Sequence, residues 1–418
     1  MLPTYWVIFL SATLIFHPTS TFNGESALIL ALFCAAFLFG STYATMEALP
    51  FARPALKIDS SSRAGYALHL SSMTVIWAIA MGSLANLVAA ALALRNSPYG
   101  FWDILSLQGL ADSTNSLAVS RYAGEDSNMF IFLLLGIGYA SALVAPFIRL
   151  TTANRQIWWT ILPSLTSVAY AAVTSARLGF LVAAALTVGG MLACTVLRDG
   201  EVPKIRLKMV IGSVVVASLI AGAFIGIGVL RTGRIDMQAV ITTVNKQASY
   251  TVGSVGAFSS WYGDYGTGQD QQLGFGTATI AGVEYFTGQD RSATRAYGEF
   301  AVIDQTGRTS NVYTVFRGLL LDFGVAGTLI FLALTGFLFG RLYLRSRAGS
   351  VASAGLLGFG YASIFLSGWL ATTTFTNVLF VAVAGPTLLI LARRRFLTEK
   401  TTSGIVHARR FTLSTTVK

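Results

Sequence analysis

Apolar and polar positions in this chain alternate by whole segments. Runs of about 20 mostly apolar residues, the length a helix needs to cross a hydrocarbon core, are separated by short polar connectors. The pattern predicts about ten spans: Tyr5–Phe16, Ala27–Met46, Tyr66–Leu94, Met129–Ile148 and Ile157–Thr174. The series continues with Leu178–Leu197, Met209–Leu230, Phe323–Tyr343, Val351–Leu370 and Asn377–Leu391. Two connectors break the rhythm. One is the polar loop 95–128, with Tyr99, Phe101 and Trp102 near its start and Arg121-Tyr122 near its end. The other is the long segment 231–322. The chain therefore divides into N-terminal spans (1–94), a first loop (95–128), central spans (129–230), a large loop (231–322), C-terminal spans (323–392) and a basic tail (393–418).

Inside the large loop, Met237, Val240, Ile241, Val244, Ala248, Val252, Val255 and Phe258 recur almost entirely at intervals of three and four. That is the period of an amphipathic helix. Such a helix either lies in the interface with its apolar face among the headgroups or packs on the span ends. Both keep the segment at the membrane surface. Residues 263–276 are rich in turn formers, and Thr277–Phe286 reads as another short helix.

Composition agrees with the pattern. A mean hydropathy of +0.65, with 54% hydrophobic and 11% charged residues, excludes an ordinary soluble globule, which carries about 25% charged residues. Cys34 and Cys194 both fall inside predicted spans, so no disulfide or zinc framework is read. The first apolar run lacks a small-residue cleavage site and is taken as a span.

The net charge of +11 points to anionic lipid, not nucleic acid, because of where the charges sit. One set of alternate connectors carries Arg53, Lys57 and Arg63; Arg149 and Arg155; Arg198, Lys204, Arg206 and Lys208; Arg341, Arg345 and Arg347. The tail adds Arg393, Arg394, Arg395, Lys400, Arg409, Arg410 and Lys418. The opposite set is sparser for its length. Basic residues favour the cytoplasmic side, which puts both termini inside and the 231–322 loop outside.

Arginines on the outer side run against that rule and are the first candidates for chemistry. Arg177 stands in a connector of a few residues, Thr174-Ser175-Ala176-Arg177. It either snorkels at a span end or holds a guanidinium at headgroup depth, where it could bind a phosphate bidentately. Arg231 and Arg234 are one helical turn apart and could face one anionic group. Arg317 follows Tyr313 by about a turn at the entry to a span. Asp322, five residues further on, lies too far round a helix to pair directly with Arg317. It is open to two readings, a support for a bend or the backbone, and a general base. Glu284, Glu299, Asp304, Asp264 and Asp270 lack metal-ligand spacing. His17, His69 and His407 all lie outside the two long loops, so neither a metal nor another cofactor is expected. Trp261, Tyr262, Tyr265 and Tyr285 suit sugar stacking or an interfacial aromatic belt.

The string Asn311-Val312-Tyr313-Thr314, followed by Asp322-Phe323-Gly324-Val325-Ala326-Gly327, resembles the end of the catalytic segment in oligosaccharide repeat-unit polymerases (Wzy type) of O-antigen and exopolysaccharide assembly. Tyr250-Thr251-Val252-Gly253 and Gly274-Phe275-Gly276-Thr277 stand in a similar order. Thr174-Ser175-Ala176-Arg177 is similar to the short arginine-bearing connector of these polymerases and of O-antigen ligases.

The resemblance runs from Arg95 to about Tyr343. It implies an all-α polytopic membrane protein with a large extracytoplasmic loop, resembling GT-C-type membrane glycosyltransferases, in a bacterial cytoplasmic (inner) membrane. The implied reaction moves a growing glycan from undecaprenyl diphosphate onto a new lipid-linked repeat unit. Arg177, Glu299 and Asp322 are then the catalytic candidates, with Glu299, Asp304 and Asp322 the alternatives for the general base. Arg121, Arg231, Arg234, Asn311, Tyr313 and Arg317 are the substrate-binding ones. Undecaprenyl-diphosphate-linked glycans, membrane lipid and a polysaccharide chain-length regulator are the implied partners, with no cofactor. The missing loop histidine favours polymerase over the ligase alternative. A lipid-linked sugar flippase would need a polar pathway at mid-bilayer, and charged residues at span centres are nearly absent. No Arg-x10-Gly pattern occurs, so no residue role is carried over from it.

Overall fold

The computed structural model describes residues 5–7, 9–11, 23–47, 70–95, 99, 102, 106–122, 129–151, 157–174, 177–202, 207–234, 236–265, 273–288, 300–303, 308–369 and 371–411. The architecture is helical: α1 (Gly24–Glu47), α2 (Ser72–Arg95), α3 (Leu107–Tyr122), α4 (Met129–Val144), α5 (Ile157–Thr174), α6 (Arg177–Asp199) and α7 (Leu207–Leu230). Then come α8 (Met237–Tyr265), α9 (Glu284–Thr287), α10 (Val315–Arg347), α11 (Val351–Leu366) and α12 (Thr376–Phe411). A two-residue hairpin, β1 (Ala301–Val302) antiparallel to β2 (Thr309–Ser310), is the one sheet among the described residues.

Among the described residues, seven helices are long and apolar enough to cross a membrane: α1, α2, α4 with its 3-10 extension to Leu150, α5, α6, α10 and the first part of α12. Two shorter apolar helical stretches, Ser218–Leu230 in α7 and Val351–Leu366, complete the bundle. Both match positions at which the pattern predicts spans, as do the helical residues 5–7 and 9–11.

Small residues set the helix spacing, as packing between helices in lipid requires. A Cβ on Gly40 of α1 would overlap the Ala333 carbonyl of α10, and one on Gly336 would overlap the Phe37 carbonyl. Gly189 of α6 meets Gly358 of α11 in the same way. Polar side chains join the inner helices. Asn86 Nδ2 donates to the Pro163 carbonyl at 3.0 Å and to Thr166 Oγ1 at 3.2 Å. Ser164 and Thr187 share a hydrogen bond of 2.7 Å.

Hydrogen bonds also sort the helix ends. At one end, Ser71 N donates to Ala392 O and Arg341 pairs with Glu47. The hydrophobic core there joins Leu70 to Ile148 and Leu197, beside Arg149 and Arg198. At the other end, Thr114 Oγ1 of α3 donates to Ala172 O of α5 at 2.9 Å. Gln108 Nε2 donates to Gly233 O, just beyond α7, at 2.9 Å. Asn23 N donates to Ser259 Oγ of α8 at 2.8 Å, and Val315 N to Ser367 O at 2.9 Å. The described parts of both long connectors thus gather at one end of the bundle, and Arg149, Arg198 and Arg341 lie at the other.

Three local differences from the pattern have physical causes. The polar loop 95–128 contains α3, which folds against α5 and the end of α7. Residues 277–283 form turns, and only Glu284–Thr287 is helical. The helix expected from Phe323 starts at Val315 and is broken at Gly324. Its first segment is held by tertiary contacts that hydropathy does not register.

Candidate functional site

The site is built on that first segment of α10, residues 315–323. Gly324 ends it with φ 62° and ψ −174°, a region essentially restricted to glycine, so the helix bends there. The side chain of Thr314 makes no cap bond. The first amide, Val315 N, is instead satisfied by Ser367 O at the end of α11. The segment is therefore bounded by a tertiary backbone hydrogen bond at its start and a glycine kink at its end.

Arg317 and Asp322 point in different directions, as 100° per residue over five residues requires. Arg317 is 2% exposed. Its guanidinium carbon stands 3.8 Å from the Tyr313 ring centroid and 5.2 Å from that of Trp261 on α8. Cation–π contact suits arginine better than lysine because the guanidinium is planar and weakly hydrated. The rings continue along α8: Trp261 lies 4.8 Å from Tyr265, and Tyr262 is stacked on Tyr265 and on Phe258. Tyr265 Oη donates to Leu320 O at 3.1 Å. Burial pushes the phenols of Tyr262 and Tyr265 above their ordinary pKa, so both stay neutral donors at neutral pH.

Asp322 is fully buried. Its Oδ1 accepts from Ala278 N at 2.9 Å. Its Oδ2 accepts from Thr279 N at 2.8 Å and from Thr279 Oγ1 at 2.5 Å. Gly274 N and Phe275 N donate to the carbonyls of Leu321 and Asp322. On its far side, the 274–282 turn is tied to the loop between α11 and α12: Thr373 Oγ1 donates to Thr279 O at 2.5 Å, and Ala281 N to Thr373 O at 2.8 Å. Asp322 thus closes a latch between the broken helix and a turn, which is the backbone-support reading. Phe275, in that turn, has φ 47° and is 62% exposed.

The hairpin seats on α8 through Ile303, whose side chain and carbonyl fill the notch left by Gly253 and Gly256. Asn311 follows β2 and is exposed, while Tyr313 is buried under Arg317. The turn after α7 carries Arg231, half-buried, and Arg234, exposed. Arg234 pairs with Asp236 at 2.7 Å. Asp236 also caps α8, accepting from Ala239 N at 2.7 Å.

Arg177 is the first residue of α6 and Arg121 lies in the last turn of α3; their side chains fall outside the described residues. Glu299 and Asp304 lie outside them altogether. The structure therefore brings Tyr313 and Arg317 together, turns Asp322 of the same helical segment as Arg317 toward Ala278 and Thr279 instead, and sets Arg231 with Arg234 beside α3. Trp261, Thr279 and Thr373 are the partners that the sequence did not reveal, since each contact joins positions tens of residues apart. Among the described residues, no group of three His, Cys, Asp or Glu could hold a metal ion. No family model, curated protein or solved structure matches this chain.

Proposed function

We propose that this chain is a membrane glycosyltransferase that polymerises undecaprenyl-diphosphate-linked oligosaccharide repeat units on the outer face of the bacterial cytoplasmic membrane. The observation that carries the reading is the meeting of the two long connectors at one end of the bundle. There α3 holds the 231–234 turn through Gln108, and the start of α6 brings Arg177 to the same end. The positive-inside count makes that end the outer one.

The reaction breaks a bond between sugar and lipid diphosphate, and negative charge develops on the leaving phosphate. Fixed guanidinium groups at headgroup depth stabilise such charge best where water is scarce. Arg231 and Arg234 are the groups at the surface, with Arg177 at the adjoining helix start. Arg317 is buried against two rings, so it organises the junction of α8 and α10 and is not offered to a phosphate directly. Asp322 has both oxygens engaged by N–H and O–H donors, so it is a positioning residue. The general base for the attacking hydroxyl is then Glu299 or Asp304. Exposed Asn311 and the rings of α8 supply hydrogen bonding and stacking surfaces suited to sugars.

The test replaces Arg177 by Ala and by Lys in the cells that carry the chain and reads surface polysaccharide on a gel. Both variants should insert normally and leave single repeat units in place of long chains. Wild-type banding from Arg177→Ala would remove this arginine from the site. Loss of all export on deletion of the chain would favour transport over polymerisation.

A further inference from the structure

The first three turns of α8 carry three kinds of surface. Ala239, Thr243 and Gln247 are buried. Met237, Ile241 and Val244 are 73%, 48% and 41% exposed. Gln238, Thr242, Asn245 and Lys246 are exposed and polar. At about 100° per residue, the centres of these three faces fall roughly 120° apart around the helix axis. A surface helix in water buries its apolar stripe and shows its polar face. Here the face against protein holds a threonine and a glutamine, and the apolar stripe is the open one.

The same stripe has a different fate further along. Val255 and Phe258 are fully buried, packed with Phe33, Phe316 and Leu320. The second half of α8 is thus docked on the bundle, and the first half presents its stripe outward. Its height is set by α7, an apolar helix whose Leu219 is 68% exposed and which ends at Leu230. The connecting turn is tight: Thr232 N donates to Val229 O and Gly233 N to Leu230 O. Thr232 Oγ1 donates to Arg234 O at 3.0 Å. The stripe therefore begins close to the level at which α7 leaves the apolar layer. Exposed Arg234 and Lys246 suit the phosphates found at that depth.

We infer that residues 237–247 form a lipid-seated helix at the line where protein, bilayer and water meet. Met237, Ile241 and Val244 enter the acyl-chain region, Thr243 and Gln247 face protein, and Asn245 and Lys246 face water. The occupant of the stripe is phospholipid hydrocarbon. The seating is independent of the reaction the chain performs.

The test uses the full chain with Cys34→Ala and Cys194→Ala, reconstituted in phosphatidylethanolamine–phosphatidylglycerol vesicles. Nitroxide labels are attached at Ile241→Cys or Asn245→Cys. Relaxation by oxygen, which partitions into hydrocarbon, is compared with relaxation by a water-soluble nickel chelate. The oxygen-to-nickel ratio should exceed one at Ile241 and fall below one at Asn245. Met237→Cys repeats the reading on the same face should the Ile241 variant fail to insert. Dominant nickel relaxation at both apolar positions would place the stripe in water and overturn the inference. Weak relaxation by both agents would place it under protein, a second copy included, and overturn it equally.

Discussion

Asp322 and Arg317 show how two charged residues of one short segment can take different work. Each buried hydrogen bond to a charged group is worth about 1.5–3 kcal/mol, and three donors converge on the Asp322 carboxylate. Asp322→Ala should therefore cost about 3 kcal/mol or more, read as a lower melting temperature of the purified protein in detergent. Asp322→Asn should lose less, since its amide oxygen still accepts. An Asp322→Asn chain that melts like wild type but makes no polymer would instead assign this carboxylate to the reaction. The divergence of the two side chains was legible in their spacing of five. Their partners were not, because Trp261 and Thr279 reach them only through the fold.

Among the elements, α8 combines a capped start, an open apolar stripe and a docked second half. Its start depends on Asp236, whose carboxyl is held below the usual range chiefly by the Ala239 N–H and further by Arg234. A depressed carboxylate contributes stability that is full above the unfolded value of about 4 and is lost as pH falls through the lower folded value. A nitroxide at Gln238→Cys should therefore gain mobility only as the pH drops below about 4, not between about 7 and about 5. Asp236→Asn, which keeps the cap acceptor, should remove that response. An unchanged line shape in the Asp236 chain would show that the cap does not hold the helix start. The stripe from Met237 to Phe258 was visible as a period in the sequence. Its division into an open half and a docked half was not, since it depends on where α1 and α10 begin. The extent of α10 was hidden for a related reason: Arg317 and Asp322 lower local hydropathy, so the pattern starts at Phe323 although the helix starts at Val315.

For the whole molecule, the apolar runs made the bundle readable, because a continuous apolar run of that length satisfies its own backbone in hydrocarbon only as a helix. The small hairpin and α3 were unreadable, being short or polar and held by neighbours. Sidedness is the decisive property at this scale. In a chain with Cys34→Ala and Cys194→Ala, Thr232→Cys should react with a membrane-impermeant maleimide on intact cells. Ala348→Cys should react only after permeabilisation. The reverse result would end the proposed function while leaving the fold untouched.

The seams of the bundle carry a consequence for descent. Where Gly40, Gly336, Gly189 and Gly358 let one backbone touch another, any larger side chain prises two helices apart. Most residues facing hydrocarbon can be exchanged for another apolar one with little effect. A lineage built this way is held most tightly where side chains are missing and least where they face hydrocarbon.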